Sequence, residues 1–119
     1  MSDTTTTVAE LRQIIRTFVE ERDWRRFHAP KNISMALAIE AAELMEHFQW
    51  IDAEASRQLP GDAAKLSAIS EELADVVGYS LALANELGID VSDAIRGKMV
   101  KNRQKYPADE FRGRYSRDG

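Results

Sequence analysis

The sequence contains no cysteine among its 119 residues. This absence excludes disulfide bonds, thiolate metal sites and a cysteine nucleophile, and it fits a reducing compartment. Long apolar runs are missing as well, because no stretch approaches the roughly 18 residues that a membrane-spanning helix needs. The opening MSDTTTT has neither an apolar core nor a basic start. We therefore expect no signal peptide, no membrane partner and a cytoplasmic protein.

An excess of positive charge is also absent. Sixteen lysines and arginines accompany 20 aspartates and glutamates, which gives a formal net charge of −4. No global basic field is available to hold a polyanion, so we expect no nucleic-acid polymer as a partner. A small basic patch that binds one nucleotide is still compatible with this charge. The length fits one domain, and a hydrophobic fraction of 44% is enough for a core.

Helical periodicity recurs in four segments, and no strand-like alternation is found. The predicted helices cover about 8–22, 33 to 48 or 50, 62–87 and 91–106. Four helices with short links predict an all-α, four-helix antiparallel bundle. We predict one helical domain between two flexible tails, with the bounds 1–7, 8–107 and 108–119.

The predicted helix ends follow from local residue preferences. Pro30 argues against a helix that continues through the connector 23–31, so Asn32 or Ser34 is the expected N-cap of the second helix. Gly88 is the expected stop of the third helix. The second helix is apolar on most sides, and a single small bundle would leave part of that surface in water. We therefore predict self-association through the helices, at least into a dimer.

Two pairs of acids are spaced by three residues on helices that we expect to be neighbours. Glu40 and Glu43 point the same way from the second helix, and Glu72 and Asp75 flank the apolar seam of the third. Converging carboxylates repel one another and are costly to desolvate unless a cation joins them. Oxygen ligands suit Mg²⁺, which often bridges carboxylates and substrate phosphates. The alternative is two solvated helix faces that bind nothing.

Other polar and aromatic residues surround this pattern. Lys98 and Asn102 continue an inward face of the fourth helix and could hold phosphate oxygens, although cations also favour helix C-termini. Trp50 falls on the predicted acid face and could stack on a base, or it could be an ordinary core tryptophan. His28 could bond a base edge or cap the second helix. His47 is a candidate ligand, but the sequence supports no zinc site.

Several stretches between Val8 and Pro107 resemble a known family. They read ERDWRRFHAPKN, EAAELMEHFQW, EELADV and KMVKNRQKYP. Their combination resembles the all-α nucleoside triphosphate pyrophosphatases of the MazG-like type, and within these the dCTP pyrophosphatases. The resemblance implies that the enzyme hydrolyses a nucleoside triphosphate, with dCTP as the expected substrate, to the monophosphate and pyrophosphate, in nucleotide pool sanitation.

The resemblance also implies roles for individual residues. The implied Mg²⁺ ligands and catalytic acids are Glu40, Glu43, Glu72 and Asp75. The implied base-recognition residues are Trp24, His28 and Trp50, and the implied sugar and phosphate contacts are Tyr79, Lys98 and Asn102. It further implies a homotetramer, built as a dimer of dimers, with sites formed between subunits.

Two features of the sequence depart from the family pattern. Gly78 places a small residue beside Tyr79, and the segment 52–62 matches no motif.

Two other hypotheses compete with the pyrophosphatase hypothesis. One competing hypothesis is a non-catalytic helical oligomer that senses nucleotides or binds partners. The other is a di-iron carboxylate bundle, which the sequence disfavours because the third helix has no histidine and His47 follows Glu43 by four residues instead of three.

Overall fold

A computed structural model describes residues 1–118, and this part of the chain contains helices and no strand. In chain order the α-helices are α1 (Val8–Glu21), α2 (Pro30–Glu46), α3 (Ala53–Arg57), α4 (Ala63–Leu87), α5 (Val91–Lys105) and α6 (Ala108–Phe111). Two 3-10 turns lie at Arg25–Phe27 and Leu59–Gly61. The four long helices correspond to the four predicted ones, so the all-α prediction is confirmed. None of the described helices is long and apolar enough to cross a membrane.

The chain divides into two compact units, one ending at Gly88 and one beginning at Ile89. In the first unit α4 packs mainly along α2 and, less extensively, along α1. The buried apolar residues are few in the described part of the chain, namely Val19, Ile33, Leu59, Leu81, Ala82 and Ala84. The α2–α4 interface therefore organises this unit, and it joins the two helices that carry the predicted acid pairs.

Helix α4 has well-defined signals at both ends. The Asp62 carboxylate accepts a hydrogen bond from the Lys65 backbone N–H at 3.1 Å, which caps the first turn. Gly88 ends the helix in the left-handed conformation, with φ of 65°, where glycine carries no Cβ penalty. The predicted stop at Gly88 is confirmed. The two caps bound a helix of 25 residues, with Glu72 and Asp75 near its middle.

The start of α2 differs from the prediction. Pro30 occupies the first turn and Ala29 is the N-cap, so the connector ends earlier than expected. First-turn backbone N–H groups have no partner within the helix, and a proline therefore begins a helix without loss. The expected caps Asn32 and Ser34 are wrong, since both lie within α2, and the Ser34 hydroxyl donates to the Lys31 carbonyl at 2.7 Å.

The end of α2 also differs. The helix stops at Glu46, and residues 47–50 form a turn. The backbone N–H groups of His47 and Phe48 donate to carbonyls three residues earlier, a pattern that tightens and ends the last turn. Trp50 consequently lies beyond the helix with 87% of its surface exposed, so the prediction that it shares a helical face with the acids is wrong.

Two short helices were not predicted. Helix α3 lies in the segment 52–62, where the Asp52 carboxylate accepts the Ala55 backbone N–H at 2.8 Å. Helix α6 lies in the predicted C-terminal tail, and its Phe111 ring packs edge-on against Tyr106 at 5.1 Å. Helices of four or five residues are too short to show an apolar period, so the sequence pattern could not reveal them.

Candidate functional site

The packing of α2 against α4 brings three of the predicted acids together. Glu40 and Glu43 approach from α2, and Glu72 approaches from α4. One carboxylate oxygen from each residue lies within 4.8 Å of the others, and all three side chains are partly buried. We call this set the carboxylate cluster.

Two oxygens of the cluster have unsatisfied hydrogen-bonding capacity. Glu40 Oε2 and Glu72 Oε2 are buried and have no hydrogen-bond partner in the described part of the chain. Ionised carboxylates only accept hydrogen bonds, so adjacent carboxylates cannot satisfy one another without a proton or a cation. Such buried acceptors are rare in native proteins, and each one calls for an explanation.

The protonation of Glu40 reflects this conflict. Hydrogen bonding with Glu43, and next with Glu72, raises the pKa of Glu40 from 4.5 to about 7. Burial and the negative charges of Glu43 and Asp75 also raise the pKa of Glu40. A protonated Glu40 donates the hydrogen bond that its neighbours otherwise lack, which favours the neutral form. Near neutral pH the cluster therefore binds a positive charge readily, either a proton or a cation.

The donor set of the cluster fits a hard divalent cation. Only carboxylate oxygens converge here, and oxygen ligands suit Mg²⁺, Ca²⁺ or Mn²⁺ better than they suit softer metals. A cation would satisfy the two buried oxygens and offset the repulsion among the three charges. These residues are thus able to hold a divalent metal ion.

Asp75 stands at the edge of the cluster. It lies one turn after Glu72 on α4 and is exposed, and it is not part of the set of three oxygens within 4.8 Å. Its charge still reaches Glu40, since it contributes to the raised pKa of that residue. The structure therefore places Asp75 near enough to act on the cluster electrostatically.

An open groove of about 340 Å³ is lined by residues of α1, of α4 and of the connector that follows α1. Its lining includes Ile15, Trp24, His28, Asp75, Gly78 and Tyr79. One wall is aromatic, because the Trp24 ring packs edge-on against Phe18 with 5.7 Å between ring centroids. The Nδ1 atom of His28 is buried without a hydrogen-bond partner in residues 1–118. An apolar groove with few polar groups is typical of small-molecule sites.

Three of the six predicted substrate-binding residues meet in this groove, and three lie elsewhere. Trp24, His28 and Tyr79 line it together with the predicted metal ligand Asp75. Trp50 lies on the exposed turn after α2. Lys98 and Asn102 belong to α5 in the second unit, where Lys98 is exposed and Asn102 is partly buried.

Sequence reasoning missed the contact that fixes α1 against α4 beside the groove. The guanidinium groups of Arg12 and Arg16 donate to Asn85 Oδ1 at 2.9 and 3.2 Å, and Asn85 Nδ2 donates to the Arg12 carbonyl at 3.1 Å. The partners are about 70 positions apart in the chain, so no local motif connects them. The sequence signal for this contact was one amide residue, Asn85, near the end of the mostly apolar helix α4.

The raised pKa of Glu40 generates a prediction about stability. When EDTA keeps divalent cations off the cluster, protonated Glu40 stabilises the fold below pH 4.5. This stabilisation is lost as pH rises through about 7. In Glu40→Gln the amide N–H replaces the donor of the protonated carboxyl group, and the side chain cannot ionise. The urea concentration at the midpoint of unfolding should therefore depend less on pH between pH 5 and pH 8. The variant should be more stable than the wild type at pH 8.

Glu46→Gln provides the matched control, because Glu46 is an exposed acid on the same helix. Its removal should leave the pH dependence of the urea midpoint unchanged. Equal pH profiles for the wild type and Glu40→Gln would show that the cluster does not bind a proton as described.

Comparisons with known proteins agree on one family. The model of the MazG-like family matches residues 35–117. The chain is 42% identical to dCTP pyrophosphatase 1 of Rattus norvegicus and 41% identical to that of Homo sapiens, over 90% and 86% of its length. It spans 63% and 60% of those two relatives. A pyrophosphatase structure from Archaeoglobus fulgidus superposes with a TM-score of 0.76 at 36% identity, covering 90% of this chain and 98% of that one. The family model covers well over half of the sequence, and the chain therefore belongs to the MazG-like family.

Proposed function

We propose that the protein is an Mg²⁺-dependent nucleoside triphosphate pyrophosphatase that hydrolyses dCTP to dCMP and pyrophosphate. The observation that carries the proposal is the carboxylate cluster, with its unpartnered buried oxygens, beside a groove lined by Trp24, His28 and Tyr79. The names of the relatives add support, since two are dCTP pyrophosphatases and one structural neighbour is a pyrophosphatase.

The proposed metal ligands are Glu40, Glu43, Glu72 and Asp75. When bound, Mg²⁺ supplies positive charge that neutralises phosphate oxygens and the leaving pyrophosphate. The protein residues position the ion and the triphosphate and exclude bulk water from one side. Water adds to the α-phosphorus, the bond from that phosphorus to the bridging oxygen breaks, and a carboxylate of the site accepts the proton from water.

The groove is the proposed base site. Trp24 offers an aromatic surface, and stacking on one aromatic residue is worth about 1–3 kcal/mol but tolerates any base. Selectivity must come from polar atoms at the base edge. His28, which lines the groove, is the polar residue suited to this role, since a mismatched buried donor or acceptor costs about 1–3 kcal/mol.

Three further residues keep their predicted substrate contacts in the proposal. Lys98 and Asn102 would contact phosphate oxygens, and the remaining tryptophan, Trp50, would contact the base. Trp50 is 87% exposed, which leaves its ring free to reach the site of another copy of the chain. This arrangement matches the expectation that sites form between subunits.

Self-association into a tetramer is part of the proposal. Large apolar side chains on both central helices are exposed in the single chain, among them Met35, Ile39, Met45, Leu73 and Val77. An exposed apolar surface of this extent is unusual for a monomer and typical of an interface.

We expect light scattering at micromolar concentration to give the mass of four chains. Met35→Lys combined with Ile39→Lys should lower that mass, because burying two unpaired charges at an interface is costly. Lys31→Met in the first turn of α2 is a control that alters charge without adding a charge to the apolar surface. A monomeric wild type would contradict the proposal.

The metal assignment predicts a loss of turnover that spares the fold. Glu43→Gln and Glu72→Gln should each lower pyrophosphate release at saturating Mg²⁺ by about a hundredfold or more, because each removes a ligand charge. Both variants should fold, since they relieve repulsion. Glu46 is an exposed acid of the same helix outside the carboxylate cluster, so Glu46→Gln should keep wild-type turnover. Wild-type rates in Glu43→Gln would refute the assignment.

The bond and the base are tested together by hydrolysis in ¹⁸O-labelled water with a panel of nucleoside triphosphates. Attack at the α-phosphorus places the label in the monophosphate, and dCTP should be the best substrate. Label in pyrophosphate, or release of orthophosphate, would overturn the mechanism. An equal rate with every base would overturn only the preference for dCTP. Tight nucleotide binding without any turnover would favour a nucleotide-sensing protein.

A further inference from the structure

The side of the groove formed by α4 has an unusual composition. Ala74, Gly78 and Ala82 follow one another at one-turn intervals, and all three line the groove. The large rings of Phe18 and Trp24 line the groove from α1 and the connector that follows it. Small residues from one helix and aromatic rings from another element suit a planar base. The width of that space depends on the side chains of α4.

Gly78 is the residue whose identity the fold does not explain. It lies well inside α4, where glycine is a poorer helix former than alanine. A Cβ built at Gly78 would lie 3.6 Å from Ile15 Cδ1, which is an ordinary van der Waals distance. Its backbone is helical, so no positive φ requires glycine. Neither the backbone nor the packing therefore demands a missing side chain at this position.

A Cβ at Gly78 would face Ile15, and both residues line the groove. Tyr79, the next residue, and Asp75, one turn earlier, line it as well and have proposed roles. A larger side chain at position 78 would therefore narrow the groove in which the base is proposed to bind. Adding or removing a single methylene in an apolar pocket changes discrimination by about 10–200-fold.

We propose that Gly78 is a specificity-determining residue, whose missing side chain makes the groove wide enough for a purine as well as a pyrimidine base. This inference rests on the proposed function. The aromatic wall favours either base, since stacking is tolerant of sequence. The size of the base that the groove admits is therefore controlled by the side chains of α4. The missing side chain of Gly78 removes that limit on size. We therefore expect the wild type to hydrolyse dATP measurably, though more slowly than dCTP.

The test compares dATP with dCTP in the wild type, Gly78→Ala and Gly78→Val. The ratio of kcat/KM for dATP to that for dCTP should fall about tenfold or more in Gly78→Ala, and further in Gly78→Val. The change should lie in the KM for dATP. Gly78→Ala should also raise Tm by roughly 2–6 °C, because alanine favours the helix.

Gly97→Ala is the matched control. Gly97 lies inside α5, and nothing stands within 4 Å of a Cβ built there. This variant should raise Tm in the same way and leave the ratio of the two substrates unchanged. It separates the effect of helix propensity from the effect of groove width.

Several outcomes would overturn the inference. These are an unchanged ratio in a folded Gly78→Ala, an equal loss for both nucleotides, or a wild type that neither binds nor hydrolyses dATP. If no triphosphate is hydrolysed, the proposed function fails. The role of Gly78 in base selection is then tested separately by calorimetric Kd values for the same nucleotides. A tenfold fall in relative dATP affinity in Gly78→Ala would then support it, and an unchanged relative affinity would refute it.

Discussion

The repulsion among carboxylates at the α2–α4 interface is the constraint on which the first unit of the protein depends. Glu40, Glu43 and Glu72 are held within a few ångströms by helices that the fold cannot separate without losing its main packing contact. Two of the oxygens are buried with no partner in the described residues. A fold that keeps such a cluster gives up stability, which is typical of a site that binds a cation.

The groove and the cluster are two parts of one arrangement. The α4 helix supplies Glu72 to the cluster, Asp75 to the border, and Gly78 and Tyr79 to the groove, on successive turns. This order along one helix fits the proposed ligand, in which a planar base is joined to a chain of phosphates. The hydrogen bonds between Arg12 of α1 and Asn85 of α4 hold the two helices together and thereby keep the aromatic wall in place. Positioning of a substrate between two fixed helices is the main contribution that such a site can make.

The sequence predicted the parts that depend on local chemistry. Acids spaced by three predicted which carboxylates share a helical face, and Asp62 and Gly88 lie at the ends of α4 as expected. The early start of α2 at Pro30 and its early stop before Trp50 depend on which backbone groups find partners, and periodicity does not report this. The groove was predictable only through family resemblance, because Trp24 and Tyr79 are far apart in the chain and meet through tertiary packing.

The most direct test of this account is the number of protons released when Mg²⁺ binds. Calorimetry in buffers of different ionisation enthalpy measures that number. Because the pKa of Glu40 is about 7, binding near pH 6 should expel close to one proton per site, and binding near pH 8.5 should expel almost none. Glu40→Gln should bind more weakly and release no proton at either pH. Heats at pH 6 that do not depend on the buffer, or undiminished Mg²⁺ affinity in Glu40→Gln, would contradict the claim that the carboxylate cluster is the metal site.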